Sequence, residues 1–230
     1  MSKICVKSSP KGMFSESIKT IRTNINFSNI NSDKETKVIL LTSANSGDGK
    51  SFISSNLAYS FSLEGKSVLL VDCDLRKGKL KEYFDIKSEK GYSELILNYK
   101  ANTKIGSYIS KTKYENLSIL LGGTVPPNPV ELLSSENNKK IMDKLKEKYD
   151  LIILDCPPVI GLSDALVMAD YSDYNILVVS NKKTTNKELE LSLKAFENVK
   201  RSVNGVIMNK VAKKNNSYYS NYYSNSYYGD

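Results

Sequence analysis

Apolar residues in this chain keep two rhythms, and the alternation between them predicts the architecture. Phe14, Ile18, Ile21 and Ile25 recur at steps of four, three and four, the spacing of one stripe along a helix, and that stripe needs a covering surface. A polar break at Asn31-Ser32-Asp33-Lys34 separates it from Lys37 to Thr42, a nearly unbroken apolar run that reads as a buried strand. Ile53, Leu57 and Phe61 return to helical spacing between Ser51 and Leu63, and Val68 to Asp72 gives a second strand beyond the turn at Gly65. Short helical patterns follow at Leu80 to Phe84 and Tyr92 to Asn98, then a strand at Leu117 to Leu121 and the turn Val125-Pro126-Pro127-Asn128-Pro129. A helix over Ser135 to Lys148, strands at Leu151 to Leu154, Tyr174 to Val179 and Val203 to Met208, and a helix over Thr185 to Val199 complete the series. Continuous apolar strands alternating with helices predict an α/β fold, a doubly wound and mostly parallel sheet covered on both faces, in one domain.

Composition narrows the chemistry chiefly by subtraction. None of the 230 residues is histidine. That excludes a Ser-His-Asp triad, a Cys-His pair and a His-ligated zinc, and leaves Asp, Glu, Lys, Arg, Ser, Tyr and Cys to carry any reaction. The cysteines Cys5, Cys73 and Cys156 form no CxxC pair. Cys73 and Cys156 each follow an aspartate at the end of an apolar run, where a small, easily buried residue packs well. No apolar run approaches the roughly 20 residues that span a bilayer, and Met1 to Val6 holds no stretch of signal-peptide length, so a soluble cytoplasmic protein is expected. A formal charge of +8 favours an anionic partner without choosing among nucleotide, nucleic acid, acidic lipid and polysaccharide.

Ala44-Asn45-Ser46-Gly47-Asp48-Gly49-Lys50-Ser51 lies between the first central strand and a helix, the context that a phosphate-binding loop requires. Glycines let backbone N–H groups curl around phosphate oxygens, and the helix N-terminus adds partial positive charge. Lys50 would reach the outer phosphates and Ser51 would ligate magnesium. Ala44 stands where the usual pattern has glycine, a change of one methyl group that is tolerated unless the position needs positive φ. Two strand ends add acid: Asp72 and Asp74 in Leu69 to Arg76, and Asp155 in Ile152 to Pro158. In a parallel sheet such ends converge on one crevice beside the loop. Three carboxylates there suit Mg²⁺, which takes oxygen ligands and keeps several waters. Strand alternation would put Asp72 and Asp74 on the same side.

The run from Ser217 to Asp230 sets paired tyrosines among Ser, Asn and Gly, without aliphatic residues to build a core. Such a segment cannot bury enough surface to offset its ordering entropy, so disorder and reachable hydroxyls are expected. It reads either as the substrate of an enzyme that carries it, or as a low-complexity tail that stacks on RNA bases.

Together these residues resemble the bacterial tyrosine kinases of capsule and exopolysaccharide synthesis, in the form of the separate cytoplasmic kinase subunit (CpsD/CapB type), over nearly the whole chain. Ala44 to Ser51 resembles the family's Walker A, Asp72-Cys73-Asp74-Leu75-Arg76 its Walker A′, and Asp155-Cys156-Pro157-Pro158 its Walker B. The tyrosine cluster is similar to its autophosphorylation site. Glu16 to Arg22 resembles its N-terminal oligomerisation helix, with Lys19 where the family has arginine and so without the planar fork for carboxylates.

The resemblance implies a P-loop NTPase fold divided into an oligomerisation segment (1–34), a kinase domain (35–212) and a flexible tail (213–230). It implies ATP and Mg²⁺ as cofactors. Nucleotide contacts would come from Ser46, Gly47, Asp48, Gly49, Lys50, Ser51 and Phe52, with Asn209 either at the adenine or a plain strand end. Ser51, Asp74 and Asp155 would hold Mg²⁺. Lys50, Asp72, Asp74 and Asp155 would be catalytic, with Asp72 accepting the tyrosine proton. Tyr218, Tyr219, Tyr222, Tyr223, Tyr227 and Tyr228 would be phosphorylated by a neighbouring subunit. A homo-oligomeric ring through Glu16, Lys19 and Arg22 is implied, with a membrane adaptor of the polysaccharide co-polymerase type as activator. Recruitment to the inner face of the plasma membrane and polysaccharide-synthesis enzymes as further substrates also follow from the resemblance, and no nucleic-acid partner does. The nearest rival is a ParA/MinD-like ATPase switch, which shares the fold and the acidic boxes. Those proteins normally carry a signature lysine just after the first loop position, where this chain has Asn45, and have no reason to end in clustered tyrosines.

Overall fold

A computed structural model describes residues 4–28, 36–86, 88 and 90–211. The whole tyrosine cluster, and with it the expected disorder of 213–230, lies outside the described residues.

Two helices, α1 (Cys5–Ser8) and α2 (Met13–Ser28), precede the first strand, β1 (Lys37–Ser43), which leads into α3 (Lys50–Ser62). Next come β2 (Val68–Asp72), α4 (Leu80–Phe84), α5 (Tyr92–Leu97), β3 (Ser110–Lys111) and β4 (Leu117–Leu120). The remainder is α6 (Pro129–Leu133), α7 (Glu136–Lys146), β5 (Leu151–Asp155), α8 (Asp164–Met168), β6 (Tyr174–Ser180), α9 (Asn186–Asn198) and β7 (Gly205–Asn209). The strands form one sheet of seven in the order β3-β4-β2-β5-β1-β6-β7. Every neighbouring pair is parallel except β3 with β4.

Alternation along the central strands explains why these runs are apolar throughout. Val38 and Leu40 of β1 face a core completed by Tyr92, Ile141, Met142, Met168 and Phe196. Ile39 and Leu41 face a second core built with Ile53, Leu57 and Phe61 of α3. Both faces are covered, so no position in the strand can be polar without a partner. The N-terminal stripe finds its cover on this second face, where Ile18 and Ile25 are buried with α3 and the Phe14 ring sits 4.9 Å from that of Phe52. Arg22 fastens the same contact, donating to the Ser60 carbonyl at 2.6 Å and forming an ion pair with Glu64 at 2.9 Å. No described helix is long and apolar enough to cross a membrane.

Local chemistry accounts for the boundaries that periodicity misplaces. The helix expected over Ser135 to Lys148 starts one residue later, because the Ser135 hydroxyl caps it by accepting from the Asn138 N–H. The proline-rich turn ends inside a helix, α6, with Pro129 in its first turn, where a missing N–H costs nothing. The last strand begins at Gly205 rather than Val203 and extends to Asn209.

Candidate active site

The loop between β1 and α3 is shaped by two glycines. Gly47 and Gly49 hold φ of +88° and +100°, conformations that a side chain would strain. A Cβ on Gly49 would also stand 2.1 Å from Asn209 Nδ2. Ala44 is fully buried and absent from the left-handed residues, so its methyl group is accommodated without strain. The first intrahelical bond of α3 runs from the Ile53 N–H to the Gly49 carbonyl, which leaves the N–H groups of Lys50, Ser51 and Phe52 ahead of any helical acceptor. Asp48 braces the loop from within: it is fully buried and one carboxylate oxygen accepts from the Asn45 N–H at 2.9 Å. Phe52 turns its ring toward Phe14, so only its backbone is left to face a nucleotide. Ser46 and Gly47 lie exposed at the tip.

The acidic strand ends converge on Lys50. Asp72 and Asp155 are directly opposite each other across β2 and β5. The Lys50 ammonium lies 3.2 Å from Asp74 Oδ2 and 3.9 Å from Asp155 Oδ1. Asp74 sits beyond the end of β2, so a turn rather than strand alternation brings it to the crevice, with its Oδ1 accepting from the Lys77 N–H at 3.0 Å. Asp72 is only 2 % exposed and accepts from the N–H groups of Asp74 and Leu80, at 3.2 and 3.3 Å. Gly78 lets this turn close over it, since a Cβ there would meet Asp72 Oδ2 at 2.5 Å.

Burial and mutual repulsion set the charges. Burial, reinforced by the Asp155 charge and opposed by Lys50, pushes Asp72 up to about 8. Asp155 is raised by burial, against the pull of Lys50 and the Ser51 hydroxyl. Burial acts to lower Lys50, but Asp155, Asp74 and Asp72 together raise it. A carboxyl whose native value lies above its unfolded value near 4 keeps its proton in the folded state while the unfolded chain has lost it. Stability of the nucleotide-free protein should therefore fall as pH rises through the window from about 4 to about 8. Thermal melts at about pH 6 and about pH 8 check this, and a melting temperature that climbs across that interval would contradict it.

The fit to a divalent cation can be judged from Asp155. It is fully buried, and neither oxygen makes a hydrogen bond of normal length to a described residue. A buried carboxylate left so is costly unless a cation completes it. Among the described residues no cluster of three or more acidic, Cys or His groups forms a metal cage on its own. Asp155, the Ser51 hydroxyl beside it and Asp74 instead suit Mg²⁺, which uses one or two carboxylates and fills its octahedron with water and phosphate oxygens.

Several contacts at the site are not given by the sequence motifs. Arg76, at the end of the acidic box, has a structural partner: its guanidinium grips both oxygens of fully buried Asp164, at 3.1 and 3.4 Å. Arg76→Met should lower stability by about 2 to 4 kcal/mol by orphaning that carboxylate. Urea denaturation reads the loss, and an unchanged midpoint would mean Asp164 is satisfied without it. Lys210 reaches the Gly47 carbonyl, and Asn209 the Asp48 carbonyl, so the end of β7 touches the loop directly. Lys183 also approaches the tip, 3.9 Å from where a Gly47 Cβ would be. Asp164, Lys183 and Lys210 belong to none of those motifs. Of the residues expected to join subunits, Glu16 and Lys19 pair with each other on the surface at 2.7 Å, and Arg22 bonds Ser60 and Glu64 of its own chain. Tyr218, Tyr219, Tyr222, Tyr223, Tyr227 and Tyr228 lie outside the described residues.

Known proteins share both the sequence and the fold. A family model described as an AAA domain matches residues 36–209. Tyrosine-protein kinase YwqD of Bacillus subtilis is 34% identical over 213 residues, covering 93% of this chain and 88% of that protein. The putative tyrosine-protein kinase CapB of Staphylococcus aureus is 35% identical over 97% of this chain and 96% of its own length. Tyrosine-protein kinase ptk of Acinetobacter johnsonii is 36% identical over 88% of this chain, but there the match occupies 27% of a longer protein. The crystal structure of the chimerical protein CapA2B2 superposes with a TM-score of 0.85 at 31% identity, over 93% of this chain and 92% of that one. The septum site-determining protein MinD from Pyrococcus horikoshii, solved in complex with Mg-ADP, is more distant, with a TM-score of 0.64 at 25% identity over 78% of this chain and 72% of its own. Matches of such identity and reach, two of them along nearly the full length of the relative, make this chain a member of the family of bacterial tyrosine-protein kinases.

Proposed function

We propose that the chain transfers the γ-phosphoryl group of ATP to tyrosine hydroxyls, its own C-terminal cluster among them, with one copy acting on another. The observation that carries this reading is the Lys50 ammonium, held 3.2 Å from Asp74 and 3.9 Å from Asp155 at the mouth of a loop built for phosphates. Backbone N–H groups at the start of α3 would receive the phosphates, and Lys50 would turn from its carboxylates to the transferring group. Mg²⁺, when bound, neutralises charge developing on phosphate oxygens. Ser51, Asp155 and Asp74 would hold it. Asp72 would take the tyrosine proton once ionised, and the charge of a bound cation would favour that form against the burial that raises it to about 8. Cys73 and Cys156 are buried behind the aspartates and pack rather than react.

The same reading supplies the partners. The activating partner would be a membrane adaptor of the polysaccharide co-polymerase type. The adaptor would recruit the kinase to the inner face of the plasma membrane and activate it, within the control of capsule or exopolysaccharide synthesis. A ring through α2 would present each tail to the next active site, and polysaccharide-synthesis enzymes would be further substrates. The MinD likeness supports an ATPase switch as the second reading.

Intact-protein mass after incubation with ATP and Mg²⁺, over a dilution series and with or without a fused adaptor segment, tests the reading. Phosphoryl additions that map to Tyr218 through Tyr228, and slow per molecule on dilution, are the expected result. ATP hydrolysis without any modification of the tail, even with the adaptor segment present, would favour the switch.

A further inference from the structure

The end of β7 is fastened to the phosphate loop close to the last described residue, Val211. Asn209 Nδ2 donates to the Asp48 carbonyl at 2.8 Å, and the Lys210 ammonium donates to the Gly47 carbonyl. β7 is itself anchored there, with Asn209 in register with Ser180 of β6 and its carbonyl accepting from the Asn181 N–H at 2.9 Å. Lys210 holds φ +59°, a left-handed turn that lysine seldom adopts, and its N–H donates to Asn209 Oδ1 at 2.8 Å. Two side chains and a strained turn are thus committed to two backbone oxygens.

Peptide geometry gives that commitment a consequence. In a trans peptide the C=O and N–H point in opposite directions, and the described residues contain no cis bond. Holding the Gly47 and Asp48 carbonyls against β7 turns the N–H groups of Asp48 and Gly49 away from β7, into the hollow of the loop. The flanking residues Gly47 and Gly49 are free to rotate, so without the two anchors either peptide could flip and present an oxygen to an anion.

We propose that Asn209 and Lys210 are positioning residues for the nucleotide phosphates, locking the 47–48 and 48–49 peptide groups with their N–H edges inward. The inference rests on the phosphate-loop reading, and it departs from a role for Asn209 at the base. Because the clamp is built from the root of the tail, the segment that carries the substrate tyrosines is joined directly to the residues that shape the phosphate site.

Calorimetric binding of Mg·ADP and of Mg·pyrophosphate to the full-length chain separates the possibilities. Asn209→Ala and Lys210→Gly should each weaken both ligands by about threefold to tenfold, the net worth of one hydrogen bond. Lys210→Gly relieves the left-handed turn, so its melting temperature should not fall. Lys210→Arg, which keeps the donor, should bind within about twofold of the parent, on the same scale of hydrogen-bond energies. In the nucleotide-free state the Asp48 and Gly49 amide resonances should move in the two clamp-breaking variants and not in Lys210→Arg. Weakening confined to Mg·ADP would mean that Asn209 acts at the base, and unchanged affinity for both ligands would mean that the clamp is idle; either overturns the proposal. A parent chain that binds neither ligand would instead remove the phosphate-loop reading itself.

Discussion

Lys50→Met is expected to lower tail phosphorylation by about a thousandfold or more while leaving a folded protein. On the proposed reading the ammonium would meet the transferring group, and its two ion-pair partners are the carboxylates that would hold the metal. Loss of one preorganised cation from a water-poor site removes charge stabilisation that solvent cannot replace. The variant should also carry a stability signature. With Lys50 gone, Asp72 and Asp155 face each other across β2 and β5 without their cation and must both stay protonated to remain buried. Its stability should therefore drop further than that of the parent between about pH 6 and about pH 8. Intact mass and melts at both pH values check the two effects. Phosphorylation within about tenfold of the parent would mean that Lys50 does not contact the transferring group.

Gly49→Ala should weaken nucleotide binding by about tenfold to a hundredfold, for a reason that does not involve charge. The position combines φ +100° with a contact that would put the new methyl carbon 2.1 Å from Asn209 Nδ2. The backbone strain alone is of order 1–3 kcal/mol, and relief requires the loop or Asn209 to move. Ala44→Gly provides the contrast, because Ala44 already sits in an ordinary conformation; the change should cost at most about 1 kcal/mol and leave Mg·ADP affinity near that of the parent. Calorimetry on the pair distinguishes a loop that needs this glycine from one that merely contains it. If Gly49→Ala binds Mg·ADP as the parent does, the loop is more yielding than its geometry implies.

How much was legible beforehand depends on how local each signal is. Val38 to Leu41 declares a strand because both faces are covered, and a run without polar residues is what that burial demands. The loop and the acidic boxes are legible for a related reason: a few contiguous residues each create a shape or a charge at a strand end. β3 has two residues and α8 five, too few for any period to show. The remainder of the site is made by residues far apart in the chain. Asn209 meets the loop across 161 positions, Lys210 across 163, and Arg76 meets Asp164 across 88. No window of sequence contains such a pair. Arg22 is a further case: the local motif says nothing of its bond to the Ser60 carbonyl, 38 residues away.

The contact between Phe14 and Phe52 makes a mechanical element of α3. Phe52 stands two residues beyond Lys50 on the same helix, and its ring takes the weight of α2 at a centroid distance of 4.9 Å. Between the N-terminal helix and the lysine at the phosphate site lie this packed ring contact and the first turn of α3. Torque applied to α2 from outside would arrive at Lys50 as a tilt of the rod's first turn, so the grip on phosphate and the stance of the N-terminal helix are two ends of one lever.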